Sequence, residues 1–157
     1  MTSLYAAARV ERRFVEEEHR RVRGGLAELE ETLAEAHRLD RAILADRVYR
    51  TLEWLRRDVL PLVAWEDTWL FPVLDEAAGT SLATAALRME HGEIVGIEDE
   101  LEGDAALLRD HWSHEVELRI VARLASLRTM LASHLAKEER IALPLLERVA
   151  QPSMATP

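Results

Sequence analysis

The sequence contains no cysteine among its 157 residues and has few prolines, glycines and aromatic residues. A chain without cysteine has no disulfide, no zinc–thiolate site and no thiol nucleophile. Because there are only five prolines and six glycines, long stretches lack the residues that usually end helices. No apolar run approaches the roughly 18 residues of a membrane span, and residues 1–13 lack the apolar segment of a signal peptide. These absences predict a soluble cytoplasmic protein that does not bind a membrane.

The composition that remains is rich in charged and helix-forming residues. The chain is 48% hydrophobic and 31% charged, which is typical of a globular domain rather than a disordered chain. The formal net charge of −9 disfavours nucleic acid as a partner, since the surface repels phosphates. The length suits a single domain, which we expect over residues 1–150. Residues 151–157 have no period and are expected to form a disordered tail.

Four segments have the period of amphipathic helices, and none alternates as a strand does. They span approximately residues 3–37, 40–75, 82–102 and 110–149. Ser81 is the expected N-cap of the third helix, and Gly103 with Asp104 is expected to end it. Asp110 is the expected N-cap of the fourth helix. The pattern predicts an all-α fold.

The apolar seams of these helices repeat at an offset of 72 residues. The seam of the second helix is Val48, Leu52, Leu55, Val59, Leu62, Glu66, Trp69 and Val73, and that of the fourth is Ile120, Leu124, Leu127, Leu131, His134, Glu138, Ile141 and Leu145. Off the seams, Glu18-His19 repeats as Glu90-His91, and Pro72 repeats as Pro144. The repeat predicts two duplicated helical hairpins that form an up-down-up-down antiparallel four-helix bundle.

Five polar residues occupy seam positions where the period calls for apolar ones: His19, Glu66, His91, His134 and Glu138. A carboxylate buried without a partner costs several kcal/mol or is neutralised. Any one of these residues could instead form a structural ion pair or a hydrogen-bonded core histidine. Five of them at related positions in both halves favour a shared metal ion. A nitrogen and oxygen ligand set without sulfur suits iron, manganese or zinc.

The remaining histidines are predicted to be surface residues. His37 lies 18 residues beyond His19, which is about 27 Å along a helix, and His111 and His114 are similarly far from His134. They cannot reach the same layer of a bundle. Four large residues near the seam are expected to contribute packing rather than chemistry: Trp65, Trp69, Met89 and Met130.

Four segments resemble the signature segments of hemerythrin-like HHE cation-binding domains. They are Glu-His-Arg-Arg-Val (18–22), Trp-Glu-Asp-Thr-Trp-Leu-Phe-Pro-Val-Leu (65–74), Glu-His-Gly-Glu-Ile (90–94) and His-Leu-Ala-Lys-Glu-Glu-Arg-Ile-Ala-Leu-Pro-Leu-Leu (134–146). The resemblance covers about residues 10–149. It implies two non-haem irons bridged by two glutamates, and it assigns the metal-ligand roles to His19, Glu66, His91, His134 and Glu138.

One position departs from the family pattern. Leu62, preceded by Pro61, stands where the second helix should carry a histidine. The iron on the His19 side therefore has fewer ligands, and the sequence predicts two unequal metal positions. Water or an exogenous ligand could fill the gap, Asp67 or Glu18 could approach, or one metal could be lost.

Three alternative functions are left open, and the resemblance implies the first two of them. The first is a non-haem iron protein that binds dioxygen or related small ligands such as nitric oxide, or that senses or stores iron. The second is a di-iron oxidoreductase that decomposes peroxide, since an unfilled coordination position is what substrate chemistry at a metal requires. The third is a structural or interaction bundle that has lost its metal.

Overall fold

The computed structural model describes the backbone of residues 3–150 and the side chains of residues 12–109 and 111–148. Over this range the chain forms helices and no strand. The elements are α1 (Ser3–Glu35), a 3₁₀ turn (Ala36–Arg38), α2 (Arg41–Trp54), α3 (Leu60–Trp65), α4 (Phe71–Ala78), α5 (Leu82–Asp110), α6 (His114–Lys137) and α7 (Leu143–Ala150). Elements α2 to α4 form one long helix, as do α6 and α7. The all-helical chain with four long helices is consistent with a four-helix bundle. The predicted tail, 151–157, lies outside the described residues.

Three π turns interrupt the second and fourth long helices without ending them. They are Leu55–Val59, Glu66–Leu70 and Glu138–Ala142. The second position of the segment after each turn is a proline: Pro61, Pro72 or Pro144. A proline inside a helix has no N–H to donate, and its ring clashes with the carbonyl four residues earlier. A wider preceding turn relieves this clash, so the helix continues through each proline.

The π turns that begin at Glu66 and Glu138 shift the buried face by one residue, and the predicted seams are wrong beyond these two turns, whereas Leu62 and Glu66, which follow the first π turn, are buried as predicted. Trp69 is 65% exposed, while its neighbour Leu70 is buried. Ile141 is likewise exposed and Ala142 is buried. A π turn closes hydrogen bonds between residues five apart and so inserts one residue into the 3.6-residue period. Met89, predicted to pack, also faces solvent.

The third long helix does not end at Gly103 and Asp104, contrary to the sequence prediction. It continues to Asp110 with Ala105 and Leu108 buried. Asp104 is buried as well, and its Oδ1 accepts a hydrogen bond from Arg119 at 3.0 Å. A glycine inside a helix costs only about 1 kcal/mol relative to alanine, which this packing outweighs.

The predicted helix caps need two corrections. Ser81 makes no side-chain capping bond to α5. The fourth long helix is capped by Ser113 rather than by Asp110, since the Ser113 Oγ accepts a hydrogen bond from the Val116 N–H at 3.2 Å. Ser113 has the extended backbone angles of an N-cap residue and directly precedes α6, whereas Asp110 still belongs to α5.

A polar layer divides the interior into two apolar clusters. On α1, Val15 belongs to one cluster and Val22 to the other, and His19 lies between them. On α5, Leu87 and Ile94 flank His91 in the same way. Ion pairs between α1 and the fourth long helix join Arg12 to Glu147, His19 to Glu138 and Glu30 to Arg128. Among the described residues, no helix combines the length and apolarity needed to cross a bilayer.

Candidate metal centre

The five residues predicted as metal ligands lie together in the polar layer. His19, Glu66, His91, His134 and Glu138 come from all four long helices, and every one of these side chains is buried. One potential ligand atom from each of Glu66, His91, His134 and Glu138 lies within 4.8 Å of the others. His19 joins this group through Glu138, whose Oε2 is 3.0 Å from His19 Nε2.

Two imidazole nitrogens face each other on one side of the layer. His91 Nε2 is 3.1 Å from His134 Nε2 and 3.2 Å from Glu66 Oε2. Metal–nitrogen bonds of about 2.0–2.1 Å at right angles place two nitrogens about 3 Å apart. The observed separations therefore fit ligands of one shared cation.

Glu66 presents its two carboxylate oxygens to different histidines. Its Oε2 faces His91, whereas its Oε1 lies 3.9 Å from His19 Nε2. Glu138 also stands between the two sides, because its Oε2 lies 3.0 Å from His19 Nε2 and 3.6 Å from His134 Nε2. The carboxylates thus lie between His19 on one side and the His91–His134 pair on the other.

Unsatisfied carboxylate oxygens support a cation at this layer. Glu66 Oε1 and Glu138 Oε1 are buried and have no hydrogen-bond partner among the described residues. Leaving a buried charged acceptor unsatisfied costs several kcal/mol, so such atoms are rare unless a ligand or ion meets them. A divalent cation would satisfy both oxygens and accept the imidazole lone pairs, so the residues fit such a group.

Two of the histidines, His19 and His134, have raised pKa values in this environment. Burial lowers the pKa of His19, but its hydrogen bond to Glu138 and the nearby Glu66 and Glu139 outweigh burial and raise the pKa above its usual value. Burial likewise lowers the pKa of His134, and the carboxylates of Glu66 and Glu138 raise it above the usual value. Protons on these rings supply the positive charge that the carboxylates attract, and a bound metal replaces such protons.

The pKa values of the two glutamates are shifted in opposite directions. Burial raises the pKa of Glu66, but the His134 and His91 imidazoles lower it more, so the pKa falls below its usual value. Burial raises the pKa of Glu138; the hydrogen bond from His19 opposes this, and the charge of Glu66 adds to it, leaving the pKa above its usual value. Two buried carboxylates resist ionising together, which is the repulsion that a cation relieves.

Local backbone structure aims these carboxylates. Glu66 and Glu138 are the first residues of two π turns that lie 72 residues apart. The Glu66 carbonyl accepts the N–H of Phe71, five residues later. The Phe71 ring then stacks on the His91 imidazole, with centroids 5.1 Å apart. The π turn therefore places both a carboxylate and an aromatic support against the same histidine.

Three carboxylates outside the predicted ligand set contact the outward nitrogens of the histidines. Glu90 Oε2 lies 3.0 Å from His134 Nδ1. Asp67 Oδ1 is 3.0 Å from His91 Nδ1, although not aligned for a hydrogen bond, and Glu139 Oε1 is 3.5 Å from His19 Nδ1. Sequence reasoning gave none of these contacts. The repeat of Glu18-His19 as Glu90-His91 was the available signal for Glu90.

The departure at position 62 is visible in the core. Leu62 is buried and belongs to the larger apolar cluster. Of the two residues considered as substitutes for the missing histidine, Asp67 contacts His91 and Arg88, and Glu18 pairs with Arg21 at 2.8 Å. The observed contacts of Asp67 and Glu18 are therefore with these residues and not with residue 62.

The three histidines predicted to lie elsewhere are on the surface. His37, His111 and His114 are exposed, and His114 Nδ1 lies 3.4 Å from Glu117 at the start of α6. Their exposure agrees with the prediction that they take no part in the buried layer.

Imidazoles and carboxylates buried between four helices define a helical protein with a candidate cation site. The family model described as the hemerythrin HHE cation binding domain matches residues 11–146. The chain therefore belongs to this family, as the four sequence segments suggested. Comparisons with curated proteins and with solved structures gave no match.

Proposed function

We propose that this hemerythrin-like cation-binding protein holds non-haem iron in the polar layer, with His19, Glu66, His91, His134 and Glu138 as ligands. The observation that carries the proposal is Glu66, whose two buried oxygens face His91 on one side and His19 on the other. A carboxylate so placed suits a bridge between two metal positions. Bound iron supplies a redox couple and open positions for dioxygen, nitric oxide or peroxide.

The residues of the layer would provide ligands to two metal positions. His91 and His134 would donate their Nε2 lone pairs to one position, and His19 would donate its Nε2 lone pair to the other. Glu66 and Glu138 supply negative charge to both. The two apolar clusters above and below the layer limit access of bulk water.

Leu62 makes the two positions unequal in this proposal. It contributes apolar contact to the core but no lone pair, so the His19 position has one imidazole where the other has two. The position with two imidazoles would hold iron more tightly, and the His19 position would keep a coordination position free for water or an exogenous ligand. The observation that favours peroxide decomposition as the alternative function is Leu62, which stands where a histidine ligand would otherwise fill a coordination position.

We infer an up-down-up-down arrangement of two duplicated hairpins within one domain over residues 1–150. The support is the 72-residue spacing of the two glutamate-led π turns and the order of the ion pairs between α1 and the fourth long helix. A cytoplasmic location, where iron(II) is available, stays a prediction.

Elemental analysis of the purified protein tests the metal proposal. Protein expressed with added iron should contain iron at a fixed ratio to the chain, with near-ultraviolet absorbance from ferric ions held by carboxylates. Parallel preparations supplied with manganese or zinc test which metal the layer selects. Protein that takes up none of the three metals stoichiometrically would have the third function, a metal-free bundle.

Two further measurements separate the functions that use iron. An anaerobic sample titrated with dioxygen should develop an optical band that disappears when dioxygen is removed, if the protein is a carrier. Oxygen evolution from added peroxide with repeated turnover identifies the oxidoreductase. Iron uptake with neither response favours storage or sensing.

A further inference from the structure

Glu90 contacts Nδ1 of His134, the ring nitrogen that does not face His91. It projects from α5 with one carboxylate oxygen 3.0 Å from His134 Nδ1, and its other oxygen pairs with Lys137. A carboxylate accepts hydrogen bonds and donates none, so the Nδ1 that faces it carries the hydrogen. The lone pair of a neutral His134 ring is then left on Nε2, which points towards His91 Nε2.

Glu18 occupies the corresponding place in the first half of the chain. It lies 72 residues before Glu90, in the same Glu-His pair, and the two side chains are similarly shielded, at 14% and 16% exposed. The position equivalent to His134 in that half is Leu62. Glu18 has no imidazole to accept from there and pairs with Arg21 instead.

We propose that Glu90 is a positioning residue that fixes the ring orientation and tautomer of His134, and that Glu18 is the same residue in a half that lacks its histidine. The inference deepens the proposed function and rests on it. It explains why two glutamates at equivalent positions have different partners. It also predicts that only one of them affects metal binding.

The first test compares iron(II) affinities under anaerobic conditions by competition with a coloured chelator. Glu90→Ala should weaken binding by about 10–100-fold, the usual cost of removing an outer partner of a histidine ligand. Glu90→Gln keeps an acceptor oxygen and should recover most of this loss. Glu18→Ala is the matched control and should bind as the parent does. Circular dichroism of each variant confirms that the helices remain.

A second readout separates positioning from general structure. In zinc-loaded protein, the Nδ1 proton of His134 should give a protected, downfield nuclear magnetic resonance signal, since it is bonded to Glu90. Glu90→Ala should remove or shift this signal, while Glu90→Gln retains it. Glu18→Ala should leave it in place. A merely structural role for Glu90 would move none of these signals selectively.

Restoring the missing histidine tests the second half of the inference. In the variant Pro61→Ser with Leu62→His, Glu18 should gain an imidazole partner, so adding Glu18→Ala should now weaken iron(II) binding. If Glu18→Ala remains without effect in that background, the equivalence of the two glutamates is wrong. If the parent binds iron(II) but Glu90→Ala binds it equally with an unmoved His134 signal, only this inference fails. A parent that binds neither iron nor zinc overturns the proposed function and this inference together.

Discussion

Replacing Glu138 with glutamine should affect the metal-free and the metal-loaded protein in opposite ways. Glutamine keeps the size of the side chain and one acceptor oxygen, but it removes the charge. In the metal-free protein Glu138 is buried with one oxygen unpaired, and its pKa is raised. The fold therefore favours the neutral form of this group. At pH 7 we expect the metal-free Glu138→Gln variant to be at least as stable as the metal-free parent.

The pH dependence gives the sign of this effect. Because the pKa of Glu138 is raised, the folded metal-free protein binds more protons at this group than the unfolded chain does. The stability contributed by the group is present below the ordinary value of 4.5 and is lost as the pH rises through the folded pKa. Parent and variant should thus have similar unfolding free energies at acid pH, and the variant should gain relative to the parent as the pH rises.

Bound metal should reverse the order of stability. Iron(II) at 100 times the parent's Kd stabilises the parent by about 2.7 kcal/mol, which raises the Tm of a domain of this size by about 5–11 °C. If losing the charge weakens binding about 100-fold, the same iron concentration stabilises Glu138→Gln by only about 0.4 kcal/mol, or about 1–2 °C. Anaerobic thermal unfolding followed by circular dichroism, with and without iron(II), measures both effects.

The matched control is His111→Ala with His114→Ala, which removes two exposed histidines far from the layer and should show the parent's full increase in Tm. Two results would refute the reasoning. If iron(II) stabilises Glu138→Gln as much as the parent, Glu138 is not a ligand. If the metal-free variant loses several degrees in Tm, Glu138 serves chiefly as a structural ion-pair partner of His19.

Three other variants test the metal positions and the packing between helices. Leu62→His with Pro61→Ser should raise the iron content per chain in elemental analysis, because it restores an imidazole to the weaker position; unchanged content would show that another group already completes it. Gly24→Ala should stabilise the protein by about 0.5–1 kcal/mol, since a Cβ there meets nothing within 4 Å and alanine is the better helix former. Gly25→Ala should destabilise it in urea unfolding by about 1–3 kcal/mol, since its Cβ would lie 2.1 Å from the buried Trp54 ring. Equal effects at the two glycines would contradict the close approach of Trp54.

The sequence was sufficient to find the residues of the layer because they are polar side chains at positions where the helical period calls for apolar ones. A histidine or glutamate on an apolar seam stands out against the expectation for a core residue. The helical period located His19, His91 and His134, since each follows an uninterrupted stretch of α-helix. It also located Glu66 and Glu138, the first residues of π turns, and Glu66 although an earlier π turn precedes it.

The period failed at the next residues because it assumes a constant turn. Trp69 and Ile141 were predicted to face inwards, and both face solvent after a π turn. The contacts of Glu90 also could not be predicted from the sequence. They join residues 44 positions apart on different helices and depend on how two side chains meet across the interface. The spacing of residues within one helix gives no information about a contact between side chains of two helices.

Proline spacing, rather than metal ligation, explains where the π turns form. Pro72 and Pro144 each follow the first residue of a π turn by six positions, and that residue is a glutamate in both cases. Pro61 follows Leu55 by the same six positions, and a π turn forms there too, although Leu55 is a fully buried core residue. The third turn is thus a control within the molecule: the backbone widens wherever a proline requires it. The glutamate at the first position is what makes two of these widened segments parts of the candidate metal centre.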